Sequence, residues 1–143
     1  MSLEKNTYCK CLYYSSNALS RIITKMAEEE FAVVNLAPSY AFIVMTVNRN
    51  PGLQAGELAQ TMMLTPSTIT RLLEKLESLK LIKRITEGRI TQVFPTKASM
   101  DINDGIKNAW ANLYRRYADL LGEEFANKLT ENTYVAALKL TEK

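Results

Sequence analysis

A mainly α-helical chain with one small β-hairpin is the architecture this sequence predicts, on three observations. Apolar residues recur at helical spacing over most of the 143 residues. Five Gly and four Pro are too little punctuation for an all-β or extensively disordered chain. Alternation of character is confined to the stretch around Glu87-Gly88. With 47% hydrophobic and 23% charged residues, the length suits a single domain, 1–143, built on one core.

From Tyr8 onward, Cys9, Leu12, Ser16, Leu19, Ile23 and Met26 follow helical spacing and predict a long first helix ending near Phe31. Leu12, Leu19 and Met26, seven apart, form a narrow stripe that suits either a second chain or this chain's own body. Leu36-Ala37-Pro38-Ser39 opens a second helix, with proline in the first turn where its missing N–H is not needed. Tyr40, Phe42, Ile43, Val44, Met45 and Val47 make that helix apolar nearly all round, hence central, and the turn-forming run from Asn48 to Gly52 ends it.

Gln54 to Met62 reads as a short helix with Glu57 in its first turn and Leu58 and Met62 on one face. After Met63-Leu64, Thr65-Pro66 supplies a hydroxyl cap and an N1 proline. Ile69, Leu72, Leu73, Leu76 and Leu79 then hold helical period to about Lys80, completing a helix-turn-helix. Ile82 to Thr86 and Arg89 to Phe94 flank Glu87-Gly88 as a two-stranded wing. Beyond Pro95-Thr96, the residues Ile102, Ile106, Trp110, Leu113, Tyr117 and Leu120 mark a long fifth helix; Gly122 breaks it before a last helical segment with Phe125, Leu129, Val135 and Leu138.

Composition excludes much chemistry. Histidine is absent, which removes Ser-His-Asp and Cys-His catalysis and imidazole metal sites. No glycine-rich phosphate loop or metal-ligand spacing occurs, so no enzyme, metal or cofactor is expected. Two cysteines cannot build a disulfide framework, and no membrane span or leader is evident, so a cytoplasmic location is expected. The formal charge is only +3, but residues 54–97 hold seven Lys and Arg against four acids, so the whole excess falls on the helix-turn-helix and wing.

The outer face of the Thr65–Lys80 helix carries Ser67, Thr68, Thr70, Arg71 and Lys75: short hydroxyls and cations suited to base edges and phosphates in a major groove. Arg89 at the wing tip suits a minor groove, and Thr65, Lys75 and Arg84 complete the expected DNA-binding set. An ordinary amphipathic helix and a solvated turn charge are the competing explanations, and a winged-helix module that binds protein instead of DNA is the alternative from another class.

Leu36-Ala37-Pro38-Ser39, Gly56-Glu57-Leu58-Ala59, the run from Thr65 to Glu77, and Leu81-Ile82-Lys83-Arg84 together resemble the multiple-antibiotic-resistance regulator (MarR) family of winged helix-turn-helix repressors. The resemblance covers nearly the whole chain. It implies a homodimer joined by the helical regions 1–35 and 98–143, with the winged region 36–97 on double-stranded DNA and Ser67, Thr68, Thr70 and Arg71 in the recognition role. Glu87-Gly88-Arg89 stands where the family's wing carries Asp-x-Arg, Ala37 lacks the usual capping hydroxyl, and Met63 holds a turn position often given to glycine. Tyr8-Cys9-Lys10-Cys11-Leu12-Tyr13 resembles the first-helix region of the family's organic-hydroperoxide sensors, which makes Cys9 a redox candidate with Lys5 and Lys10 nearby. The family's other common mode, release by a small aromatic or amphipathic effector, has no identifiable ligand residues here; Trp110 and Tyr117 lie on an apolar stripe and read as packing residues.

Overall fold

The computed structural model describes residues 6–141; Lys5 and the outermost residues of both expected terminal regions lie outside these. In chain order come α1 (Leu12–Phe31), a 3-10 turn (Ala32–Val34), α2 (Pro38–Arg49), β1 (Leu53–Gln54), α3 (Ala55–Met62), α4 (Pro66–Ser78), β2 (Ile82–Glu87), β3 (Ile90–Pro95), α5 (Lys97–Asp101), α6 (Asn103–Leu121) and α7 (Glu123–Thr141). The mainly helical architecture with a β wing follows the expectation, with three differences.

The first helix starts later than its apolar spacing suggests. Residues 7–10 form a turn in which Asn6 Oδ1 accepts from the Tyr8 N–H at 2.9 Å, and Cys11 is the N-cap. A side-chain carboxamide that bonds the backbone two residues on competes with helix nucleation. Cys9 therefore lies ahead of the helix, not on its apolar stripe. Secondly, the sheet has three antiparallel strands in the order β1-β3-β2, with Leu53 opposite Val93 and Gln54 opposite Gln92. A two-residue strand is too short to show alternation. Thirdly, α5 is a separate turn of helix before α6, started by a capping box in which Thr96 and Ser99 exchange side-chain and backbone bonds.

One core runs through the molecule. Ala41, Ile43, Val44 and Val47 of α2 lie at its centre, joined by Phe31 of α1, Leu58 of α3, Ile69, Leu73 and Leu76 of α4, Ile82 and Val93 of the sheet, and Ile106 and Ala109 of α6. Phe42 meets Phe31 edge-on at 5.5 Å and Trp110 at 5.9 Å, linking α1, α2 and α6. Arg116 of α6 adds ion pairs to Glu29 (2.9 Å) and Glu30 (3.1 Å) of α1. The first-helix stripe divides: Met26 is buried against this body, Leu19 is half-buried, and Leu12 is exposed.

Asn48, which the sequence marks only as a helix stop, fastens the winged unit to the C-terminal helices. Its Nδ2 donates to the Ser99 carbonyl (3.0 Å) and to Asn103 Oδ1 (2.9 Å), and its Oδ1 lies 3.1 Å from the hydroxyl of Ser99, a fully buried side chain. Asn48→Ala strands these partners, and denaturant unfolding should read a loss of about 1–3 kcal/mol.

Both helices of the helix-turn-helix end on a left-handed residue that is not glycine: Met63 (φ +54°) after α3 and Lys80 (φ +62°) after α4. At each, paired backbone bonds close a Schellman turn, such as Lys80 N–H to Glu77 C=O and Leu81 N–H to Leu76 C=O, both 2.9 Å. The left-handed penalty of about 1–2 kcal/mol outweighs the roughly 0.4–1 kcal/mol that glycine's extra freedom costs. Lys80→Gly should therefore raise the unfolding midpoint.

Candidate nucleic-acid interface

The placement of α4 begins with its cap. Thr65 Oγ1 accepts from the Thr68 N–H at 3.3 Å and donates to Thr68 Oγ1 at 2.9 Å, and Pro66 follows at N1. Ile69, Leu72, Leu73 and Leu76 are buried, so α4 is anchored along one side. The opposite side is exposed and carries Ser67, Thr70, Arg71, Glu74 and Lys75. Ser67, Arg71 and Lys75, four apart, form one row along the helix, with Thr70 and Glu74 as its neighbour. Thr70 Oγ1 donates to the Pro66 carbonyl (3.0 Å), which fixes its rotamer with the oxygen's lone pairs outward.

Of the expected recognition residues, Ser67, Thr70 and Arg71 share this open face, whereas Thr68 is half-buried and its hydroxyl accepts from the capping Thr65. Glu74 was not among the residues singled out from the sequence. Its four-residue step from Thr70 was the signal, and its carboxylate is an acceptor suited to a cytosine amino group.

The wing stands beside this helix. Glu87 pairs with Ile90, leaving Gly88-Arg89 as a two-residue tip. Gly88, at φ +62°, takes the positive-φ position such a hairpin requires, and Arg89 is exposed beside it. Arg84 is placed differently. Its Nη2 donates to Glu77 Oε1 (2.9 Å) and its backbone N–H to Oε2 (3.2 Å), so both oxygens of one α4 carboxylate hold the same wing residue. The guanidinium's hydrogen bond holds the Glu77 carboxyl below its ordinary value, against a smaller opposing effect of burial.

At the other end of the molecule, Cys9 is half-buried in the turn before α1, with its carbonyl accepting from Ser15 Oγ at 3.2 Å, and Cys11 is exposed. Between α6 and α7 lies a groove of about 370 Å³ lined by Trp110, Tyr114, Tyr117, Lys107, Asn127 and Thr130. Tyr114 donates to Asn127 Oδ1 across it at 2.9 Å. Trp110 remains 46% exposed, so its place on the apolar stripe makes it a lining residue as much as a packing one. The terminal helices also present Leu12, Tyr13, Ile22, Leu120, Phe125 and Leu140 to solvent, each at least 59% exposed. No single described helix is long and apolar enough to cross a membrane.

Residues 34–89 match the model of the MarR family. This span runs from the end of the 3-10 turn before α2 to the wing tip. No curated protein matches the sequence. Among solved structures, the chain is similar to the transcriptional repressor CouR bound to a 23-mer DNA duplex (TM-score 0.83, 20% identity, 96% of this chain and 99% of that one). It is likewise similar to the S. aureus MepR-DNA complex (TM-score 0.78, 17% identity, 91% and 98%). CouR from Rhodococcus jostii RHA1 bound to p-coumaroyl-CoA gives TM-score 0.78 at 16% identity over 100% and 99%. At these identities the likeness establishes the fold, including the helices on both sides of the winged unit.

The sign of the Glu77 shift sets a pH expectation. A depressed carboxyl contributes stability in full above the ordinary carboxylate range and loses it only as pH falls through the lowered folded value. Thermal unfolding of wild type and Glu77→Gln should therefore differ by a constant amount between pH 6 and 8 and converge only in acid.

Proposed function

We propose, from the MarR-family match over the helix-turn-helix and wing and the fold shared with MarR-type regulators, that this chain is a sequence-specific DNA-binding transcriptional regulator and not an enzyme. In this reading it acts as a homodimeric repressor released from a palindromic operator by a small aromatic or amphipathic effector. The observation that carries it is the open face of α4: hydroxyls at Ser67 and Thr70 and cations at Arg71 and Lys75, held outward by a capped helix whose other side is core. Arg89, exposed at the wing tip, supplies a further cation suited to a minor groove.

The dimer rests on the terminal helices. Among the described residues of α7, a helix of 19, only Ala126 is buried, while Phe125, Tyr134 and Leu140 stay exposed. An apolar helix covered so little by its own chain needs a second surface, and Leu12, Tyr13 and Ile22 of α1 offer an equally uncovered one. A two-fold pair would set its α4 helices one DNA turn, roughly 34 Å, apart. Release by an effector is favoured over thiol oxidation because the α6–α7 groove offers aromatic walls with one cation, Lys107, whereas Cys9 sits half-buried in a turn.

The test is binding to duplex DNA from upstream of the protein's own gene, titrated with salt and with phenolic acids and their thioesters. Affinity should fall steeply with salt, as released counterions require; a protein-only module would ignore the duplex at moderate ionic strength. Arg71→Ala should weaken the specific complex roughly 10- to 100-fold and leave nonspecific binding nearly unchanged. Equal losses on both would reduce Arg71 to a phosphate contact.

A further inference from the structure

The wing's base holds a cation that closes on a carboxylate of α4. β2 is an edge strand of the β1-β3-β2 sheet, so the backbone donors on its outer side have no strand to meet. Arg84, opposite Val93 on β3, turns its N–H toward Glu77 of α4 and folds its guanidinium onto the same carboxylate. The pair is partly withdrawn from water, with side chains 24% and 41% exposed. Close by, Thr96 Oγ1 donates to the Lys80 carbonyl at 2.8 Å, so the strand leaving the wing is tied to the end of α4 as well.

We propose that Glu77 and Arg84 form a clamp that fixes the wing relative to α4, making Arg84 a positioning residue for DNA recognition and not a phosphate contact. The proposal rests on the DNA-binding reading above for its consequence, but the clamp itself does not. One carboxylate receiving both a backbone and a side-chain donor from the same residue constrains where β2 starts and how it is oriented, which one exposed ion pair would not. The hairpin tip with Arg89 lies five residues further along, so a small rotation at Arg84 becomes a larger displacement there.

The two roles predict opposite signs. Removing the acid of a DNA-facing surface normally strengthens binding, because it deletes repulsion from phosphates and frees a cation. As a clamp, Glu77→Ala should instead weaken operator binding about tenfold, Arg84→Ala by a similar factor, and the double variant no further than either single one. The slope of log affinity against log salt should stay at the wild-type value in all three. Tighter binding by Glu77→Ala, or a slope reduced by about 0.9 for each Arg84 removed, would overturn the proposal in favour of direct phosphate contact.

Amide hydrogen exchange supplies the readout without DNA. The Arg84 amide should exchange faster in Glu77→Ala while Leu73, in the core, keeps its protection; an unchanged Arg84 amide overturns the clamp. If Leu73 also loses protection, the fold has been damaged, and Glu77→Gln, which keeps a neutral acceptor, replaces it and should be intermediate in exchange and affinity. A wild-type chain with no affinity for any duplex would remove the role in recognition along with the regulator reading, while a fast-exchanging Arg84 amide would still report the clamp.

Discussion

One constraint organises this molecule: α4 must bury Ile69, Leu72, Leu73 and Leu76 while keeping the other half of its circumference bare. Burial of four aliphatic side chains at about 1.5–3 kcal/mol each fixes the helix against α3 and the sheet more firmly than any polar contact near it. That anchoring leaves Ser67, Thr70, Arg71, Glu74 and Lys75 without packing duties. The hydroxyl cap at Thr65 and the Schellman turn ending at Lys80 define where this rigid segment starts and stops.

The winged unit and the long terminal helices share one core and are joined besides by two specific contacts. Asn48, Ser99 and Asn103 form a polar joint between the end of α2 and the start of α6, and Phe31, Phe42 and Trp110 form an aromatic one between α1, α2 and α6. The aromatic chain ends at the α6–α7 groove, because Trp110 belongs to both. Trp110 thus lines the groove with one face and meets Phe42 of α2 with another. The outer surfaces of α1 and α7, by contrast, leave apolar side chains such as Leu12, Ile22, Phe125 and Leu140 exposed.

Most elements were legible because their signals are local. The Thr65-Pro66 and Pro38 starts, the Gly122 break, the wing turn and the apolar faces of α2 and α4 follow from capping, missing donors and periodicity, which act within a few residues. The open face of α4 followed by complement from its buried one. Signals that needed a distant partner were missed or misread: β1 is a strand only because β3 lies beside it, Asn48 is more than a stop only because Ser99 comes to it, and the first helix yields to a turn that Asn6 sets. Thr68 illustrates the same dependence on neighbours, since its hydroxyl accepts from the capping Thr65 beside it.

The amino-acid sequence alone determined the order of helices, the position of the wing, the excess of positive charge on the central region and the absence of histidine chemistry, since each is a property of composition or of neighbours along the chain. Tertiary structure decided what each charged side chain does. Arg71 and Arg84 are indistinguishable as letters, yet one stands open on α4 while the other closes on Glu77, because folding brings the edge of β2 against the last turns of that helix. Charge is written in the sequence, but whether a charge meets solvent or a counter-ion depends on which surfaces the core draws together.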